Sequence, residues 1–179
     1  MKKMLSLTAL CAISMPAVAA DQSPFYGSIG GGVYKLQSAG FDETAPTMKI
    51  LGGYNFNEYV AIEGSYTELF ESSENVEGLD IDVDGNVWDL STKLSMPLNE
   101  RFTPYGRLGW SYVDLTASAT EDGETVRIND YDNALTWGIG TDFHMTDRLT
   151  LNGEVARTNI DEGDLDFLSV NVSYRFGAF

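Results

Sequence analysis

Cysteine is all but missing from this chain of 179 residues, and the single one, Cys11, lies in a leader and not in the body of the sequence. The body therefore has no disulfide, no thiolate metal site and no cysteine nucleophile. Positive charge is scarce as well. Eleven Lys and Arg stand against 27 Asp and Glu, a net charge of −16, which becomes −18 once Lys2 and Lys3 leave with the leader. Such a chain does not bind nucleic acid by neutralising phosphates. Long apolar runs are also lacking: beyond the leader no segment approaches 18 consecutive apolar residues, so no transmembrane helix is expected. High negative charge is one mark of disorder, but a 12% aromatic content and many β-branched residues argue against it. If the protein occupies a membrane, it crosses as strands.

The leader is residues 1–20. Lys2 and Lys3 make a short positive start, Met4 to Met15 is mostly apolar, and Ala17-Val18-Ala19-Ala20 offers small residues for signal peptidase. Cleavage is expected after Ala19 or Ala20. A spanning helix is the alternative, but about 12 apolar residues fall short of the ~20 that a span needs. Leu10, before Cys11, is not the small residue of a lipoprotein signal. Residues 21–179 are expected to form one domain.

In that domain, segments of about ten residues alternate apolar and polar side chains, the length of a tilted crossing of the hydrocarbon layer and not of an average soluble strand. Strands are expected near 25–35, 47–56, 59–67, 87–97, 103–113, 134–144, 148–157 and 167–176. Three connections are tight (57–58, 98–102 and 145–147), whereas 36–46, 68–86, 114–133 and 158–166 are expected to be long loops. This alternation predicts an all-β fold: an eight-stranded antiparallel up-and-down transmembrane barrel, with short periplasmic turns and long extracellular loops.

One phase of the alternation carries no charged residue at membrane depth and is mostly apolar, as in Ile29, Ile50, Trp88, Leu90, Leu108, Ile139, Val155, Leu168, Val170 and Val172, with Gly, Thr and one Pro between them. The other carries four basic residues, Lys49, Lys93, Arg107 and Arg175, and four acidic ones, Glu63, Asp89, Asp142 and Glu154. A soluble lipocalin-like barrel needs the apolar phase inside. That choice would turn the charges to lipid at ~2–4 kcal/mol for each midplane Lys or Arg. The charges are therefore expected in the lumen, as a mutually neutralising network in a space just wide enough for side chains. Either a packed polar plug or a narrow ion path would use such a set. Aromatics gather at the strand ends, Phe25, Phe56, Tyr59, Phe102 and Phe143 at the turns and Tyr66, Trp88, Trp110, Tyr112 and Trp137 at the loops, as membrane girdles do.

The last strand, Leu168-Ser169-Val170-Asn171-Val172-Ser173-Tyr174-Arg175-Phe176-Gly177, resembles the closing strand of the outer membrane protein A transmembrane domain. Gly53-Tyr54-Asn55-Phe56-Asn57-Glu58-Tyr59-Val60 running to Glu63-Gly64-Ser65-Tyr66, then Thr92-Lys93-Leu94, then Tyr105-Gly106-Arg107-Leu108-Gly109 match in order. Opacity-type and X-type small barrels are similar too. The resemblance implies an inward ionic set, which falls on Glu63, Lys93, Arg107, Asp142 and Glu154. On strand seven Asn152 stands where the family has a lumen arginine, which counts against the family's gating ion-pair switch. The barrel takes up the sequence to its last residues, so the family's peptidoglycan-binding periplasmic domain is not expected. Tyr174, Phe176 and Phe179 are candidates for the terminal assembly signal, with Phe176 in phase with Val170 and Val172. Membership implies outer-membrane lipid, lipopolysaccharide, periplasmic chaperones and the barrel-assembly machinery as partners, with no cofactor and a monomeric state.

Remaining motifs are weaker. His144, the only histidine, has no acid-plus-nucleophile set around it and reads as a satisfied or solvated side chain near a turn. Asp80-Ile81-Asp82-Val83-Asp84-Gly85 resembles an EF-hand start, but Ser91 holds the twelfth position and strands flank it; it reads as an upward extension of strand four. Gly30-Gly31-Gly32 is expected to permit close backbone packing. The segment 68–86 is acidic, with Glu71, Glu74, Glu77, Asp80, Asp82 and Asp84 forming a patch for a solvated surface, a basic partner, or lipopolysaccharide bridged by divalent cations. Thr116 to Thr120 and Thr125 to Asn129 flank Asp122-Gly123, a hairpin signal. The leading functional reading is a non-enzymatic surface protein serving envelope integrity or adhesion. A small low-conductance pore is the second, and a lipid-modifying enzyme the third.

Overall fold

The computed structural model describes residues 23–38, 41–76, 79–121, 124–160 and 163–177, and their side chains outside 36–38, 41–43, 71–76, 79–83, 117–121 and 124–130. The expected leader, residues 1–20, lies outside the described residues, as do Glu77 and Phe179. Eight strands follow one another: β1 (Phe25–Ser38), β2 (Phe41–Asn55), β3 (Val60–Val76), β4 (Leu79–Ser95), β5 (Phe102–Glu121), β6 (Glu124–His144), β7 (Leu149–Ile160) and β8 (Gly163–Arg175). Each pairs antiparallel with its neighbours, and β8 closes on β1.

The register sets the barrel's shape. Starting at Phe25 and stepping through Tyr54, Ile62, Thr92, Leu108, Trp137, Arg157 and Asp166, the ladder returns to β1 at Lys35, ten positions along the strand. This stagger tilts the strands, so ten or so residues cross the hydrocarbon layer obliquely. The β1 seams are tight: a Cβ on Gly31 would lie 2.8 Å from the Thr47 carbonyl oxygen, and Gly30 and Gly32 would clash with the carbonyls of Val170 and Leu168. The Gly30-Gly31-Gly32 run is therefore where β1 meets both neighbours without room for side chains.

The strands run further than the alternation implied. Most of 36–46, 68–86, 114–133 and 158–166, expected as loops, is strand. The flanks of the expected hairpin are the far end of a longer ladder, from Thr116↔Asn129 to Glu121↔Glu124, while Asp122 and Gly123 lie outside the described residues. One irregularity, between Leu69 and Ser72 on β3, interrupts the extension. Apolar periodicity marks a strand only where one face meets an apolar medium. Above that level the backbone ladder continues while polar side chains occupy the outer face.

Outside the barrel, Phe25, Ile29, Ile50, Trp88, Leu90, Leu94, Leu108, Trp110, Ile139, Val155, Leu168 and Val170 are exposed and form the lipid belt. Beyond the belt the two faces exchange character. Inward positions hold a packed apolar cluster of Tyr34, Ala45, Leu69, Val87, Val113, Ala134 and Leu165. The neighbouring outward positions are mostly polar, with Thr44, Glu68, Asp84, Asn86, Asp114, Asn133, Asn159 and Asp164, although Phe70 and Tyr131 are exposed among them. The interior is thus ionic and polar at membrane depth and carries an apolar core above it. Where the outer face meets water, burying apolar area inside is the favourable arrangement, as in any soluble barrel.

At the boundary Arg157 on β7 clasps β8. Its Nε donates to Asp166 at 2.6 Å, Nη2 to the other Asp166 oxygen at 2.7 Å and Nη1 to Asp164 at 3.1 Å. These bonds, outside the lipid belt, hold the Asp166 carboxyl below its usual range. A lowered carboxylate pKa adds stability above the ordinary aspartate range, and that stability is lost as pH falls through the folded value. A carboxyl NMR titration is expected to place the Asp166 midpoint below an ordinary aspartate. Arg157→Ala should raise it towards normal, with Lys35 still holding it down in part, and an unchanged midpoint would mean the clasp does not form in solution.

Candidate functional site in the barrel lumen

The lumen is built in layers, beginning at the tight-turn end (56–59, 96–101 and 145–148). There a polar mouth of about 50 Å³ is lined by Tyr26, Lys93, Asp142, His144, Arg148 and Arg175. His144 Nε2 lies 3.1 Å from Thr103 Oγ1 and Nδ1 lies 3.0 Å from Thr150 Oγ1, so both ring nitrogens are engaged. This is the satisfied histidine expected from its surroundings. Arg175, expected inside the charge network, is only half-buried and stands at this mouth, because β8 reaches its end there. The other seven predicted lumen charges are all buried.

Above the mouth, the Lys93 ammonium sits 2.8 Å from Asp142 and 3.7 Å from Glu63, and 3.9 Å above the ring centre of Tyr105. Asn152 donates 2.7 Å to Asp142 and 2.8 Å to the Tyr105 hydroxyl, and accepts 3.0 Å from Asn171. The residue standing in place of a family arginine is therefore a neutral linker: it uses a carboxylate oxygen that Lys93 leaves free. Tyr26 donates to Glu63 at 2.5 Å, and Tyr105 donates to Glu154 at 3.1 Å.

Arg107 is the hub of the next layer. Nε and Nη2 form a fork on Glu154 at 3.0 and 2.8 Å, while Nη1 reaches Asp89 at 2.5 Å and Ser91 Oγ at 3.3 Å. Lys49 adds a bond to Glu154 at 3.3 Å. A guanidinium is needed here because its planar donors satisfy two carboxylates in different directions. Four buried carboxylates thus face three buried cations, and Arg175 at the mouth brings the numbers level.

A hydroxyl layer follows. Ser111 donates to Asp89 at 3.1 Å, and Ser111, Thr136 and Thr158 form a chain with oxygens 2.5 and 2.6 Å apart. An ionised carboxylate only accepts. Ser111 must then donate to Asp89, Thr136 to Ser111 and Thr158 to Thr136, so the whole chain points at the carboxylate. The apolar cluster described above lies on top.

Sequence reasoning found the ions but missed Tyr26, Tyr105, Asn171, the hydroxyl layer and the apolar layer. The signal for the tyrosines was their inward phase opposite glycine. Tyr26 packs across Gly53, and Tyr105 across Gly140, so a Cβ at either glycine would enter the ring. Gly140→Ala is expected to push Tyr105 off Glu154 and Asn152, lowering stability by about 1–3 kcal/mol in urea unfolding. Tyr105→Phe in the Gly140→Ala background should then cost little more; full additivity would show that the two residues are not coupled. The acidic patch stands differently. Glu71, Glu74, Asp80 and Asp82 are strand residues whose side chains lie outside the described set, and Asp84 is exposed.

The comparisons with known proteins agree with this architecture. Residues 5–176 match the family described as outer membrane protein beta-barrel domain. No curated protein sequence matches the chain. Among solved structures, it is similar to Ail, the attachment invasion locus protein of Yersinia pestis, in a complex with the heparin analogue sucrose octasulfate. The two are 18% identical with a TM-score of 0.65, over 88% of this chain and 100% of that one. Neisserial surface protein A is 18% identical with a TM-score of 0.67, over 86% of this chain and 98% of that one. The N-terminal β-barrel domain of Pseudomonas aeruginosa OprF is 15% identical with a TM-score of 0.65, over 87% and 99%. At these identities the structures speak for the fold, and the family match speaks for membership. With its lipid belt, closed eight-stranded sheet and inward charges, the chain belongs to the outer membrane protein beta-barrel family, and its place is the Gram-negative outer membrane.

Proposed function

We propose that this protein is a non-enzymatic outer-membrane barrel with a closed lumen, which serves envelope integrity and surface interaction through its acidic extracellular end. The observation that carries the reading is the stacking of three dissimilar layers across one narrow lumen. An ion travelling through it would have to break the Lys93 and Arg107 pairs, displace the hydroxyl chain and then shed its hydration among Leu69, Val113 and Leu165, which are 0–1% exposed. The first and last of these steps are opposed by Coulomb attraction and by desolvation respectively. A small pore, the second reading, needs a continuous wet path instead. The test is single-channel recording on the refolded barrel, with folding shown by heat-modifiable gel mobility. Silence is expected. Reproducible steps altered by Lys93→Ala or Glu63→Ala would replace this reading with the pore.

The leader at 1–20 and the terminal aromatics belong to the same reading, as export and assembly signals read by signal peptidase, periplasmic chaperones and the barrel-assembly machinery. Tyr174 and Phe176 are exposed, with ring centres 5.8 Å apart, and the Phe176 amide continues the ladder to Phe25 at 3.1 Å. The extracellular end argues against a polyanionic ligand of the kind bound to Ail. Beyond the belt the sequence supplies only Lys35, Arg127 and Arg157 as cations, against Asp and Glu on every extended hairpin. The chemistry fits a basic partner, or lipopolysaccharide bridged by divalent cations. Sucrose octasulfate is expected not to bind at physiological salt, whereas a polylysine probe should bind and be released by salt. Tight sucrose octasulfate binding, or polylysine binding indifferent to salt, would sink this part of the proposal.

A further inference from the structure

Between the Arg107 layer and the apolar layer the lumen encloses a cavity of about 30 Å³. Ser65, Thr67, Asp89, Arg107, Ser111 and Thr158 are among its lining residues. Ser65 is 6% exposed, and its Oγ has no hydrogen-bond partner among the described residues. On the opposite wall Thr158 ends the hydroxyl chain. It is committed to donating towards Thr136, which leaves its lone pairs free to accept. A hydroxyl orphaned inside a structure implies a partner that is not protein. A cavity of this size clears the roughly 10–15 Å³ that a buried water needs, and its walls offer the two to four polar contacts that hold one.

We propose that this cavity is a binding site for long-lived water, which accepts from Ser65 and donates into the Thr158–Thr136–Ser111 chain. The inference rests on the closed-lumen reading and adds to it a site held apart from both bulk phases. The bound water completes a relay of donors from Thr158 to Asp89. It thereby strengthens the negative end that holds Arg107, since chained hydrogen bonds polarise one another. Its roof is apolar, so the water is held by the lower walls and exchanges only when the barrel opens locally.

The experiment is water–amide cross-relaxation on isotopically labelled barrel refolded in lipid nanodiscs, read in the slow-tumbling regime that marks residence beyond nanoseconds. Cross-peaks are expected at the amides of Ser65, Thr67 and Thr158 and none at Leu69, Val113 and Leu165. Ser65→Val, which replaces the hydroxyl and fills the space, should abolish them. If that variant fails to fold, oxygen-17 relaxation dispersion of the wild type still counts long-lived waters. Absence of any long-lived water near Ser65, with the apolar layer also dry, overturns the site and leaves the closed lumen standing. Rapidly exchanging water at Ser65 and at Leu165 alike overturns the closed-lumen reading, and the site with it.

Discussion

Arg107→Ala is expected to destabilise the barrel by about 3–5 kcal/mol, read as the shift in urea unfolding from lipid vesicles. The loss is large because of what remains behind. Glu154 and Asp89 are 6% and 8% exposed, and each takes a short bond from this guanidinium. Lys49, at 3.3 Å from Glu154, makes no described bond to the aspartate, so Asp89 retains only the Ser111 donor among its described partners. Arg107→Lys keeps the charge but gives up the planar fork and should recover only part of the loss. A change below 1 kcal/mol would mean that water reaches the carboxylates, and so that the lumen is open at this depth. Removing Glu154 together with Arg107 should cost less than the two single losses combined, because the stranded charge goes with its partner.

Leu165→Asp is expected to be comparably severe, on the order of 4 kcal/mol, but in a different part of the molecule. Leu165 is 0% exposed in a layer whose members are Tyr34, Ala45, Leu69, Val87, Val113 and Ala134, with no basic side chain among them. A carboxylate there is uncompensated, and burial of an unpaired charge carries a heavy penalty. Leu165→Ala separates the two contributions, since it loses only packing, about 2–5 kcal/mol. The damage should stay above the lipid belt. Limited proteolysis is expected to cut Leu165→Asp within residues 114–133 while the wild type resists. The fragment below should retain its heat-modifiable mobility, because its apolar outward face and ionic lumen are untouched. Equal resistance of variant and wild type would show that the extracellular ladders do not depend on this core.

At membrane depth, alternation alone decided the class. A phase without charge facing a phase with Lys49, Glu63, Asp89, Lys93, Arg107, Asp142 and Glu154 has one stable solution in lipid, and seven of the eight predicted lumen charges are buried accordingly. Strand count, antiparallel order and the tight turns followed from the same period-two signal. Arg175 departed because phase specifies which way a side chain points and not how deep its strand end lies. Asn152 read as a missing arginine, yet its amide links Asp142 to Asn171; a donor–acceptor side chain reveals its role only when both neighbours are in place.

The extracellular half was only partly legible, for a physical reason. Alternation identifies a strand by the contrast between two media, and above the belt the outer medium is water. Only the hairpin of 116–129 and the upward run of strand four at 80–85 could be read there, and the rest looked like loop. Only the closed sheet shows that the faces have exchanged roles there. It brings Leu69 of β3, Val113 of β5 and Leu165 of β8 into one core, although they lie far apart in sequence. Pairing followed the same division. Sequence by itself determined that these charges share a lumen, because a lipid-facing ion is too costly. The choice of Arg107 as the hub of Glu154 and Asp89, and the space left beside Ser65, were decided by the tertiary structure, through a stagger of ten residues that sets which positions on β3, β4, β5 and β7 meet at one height.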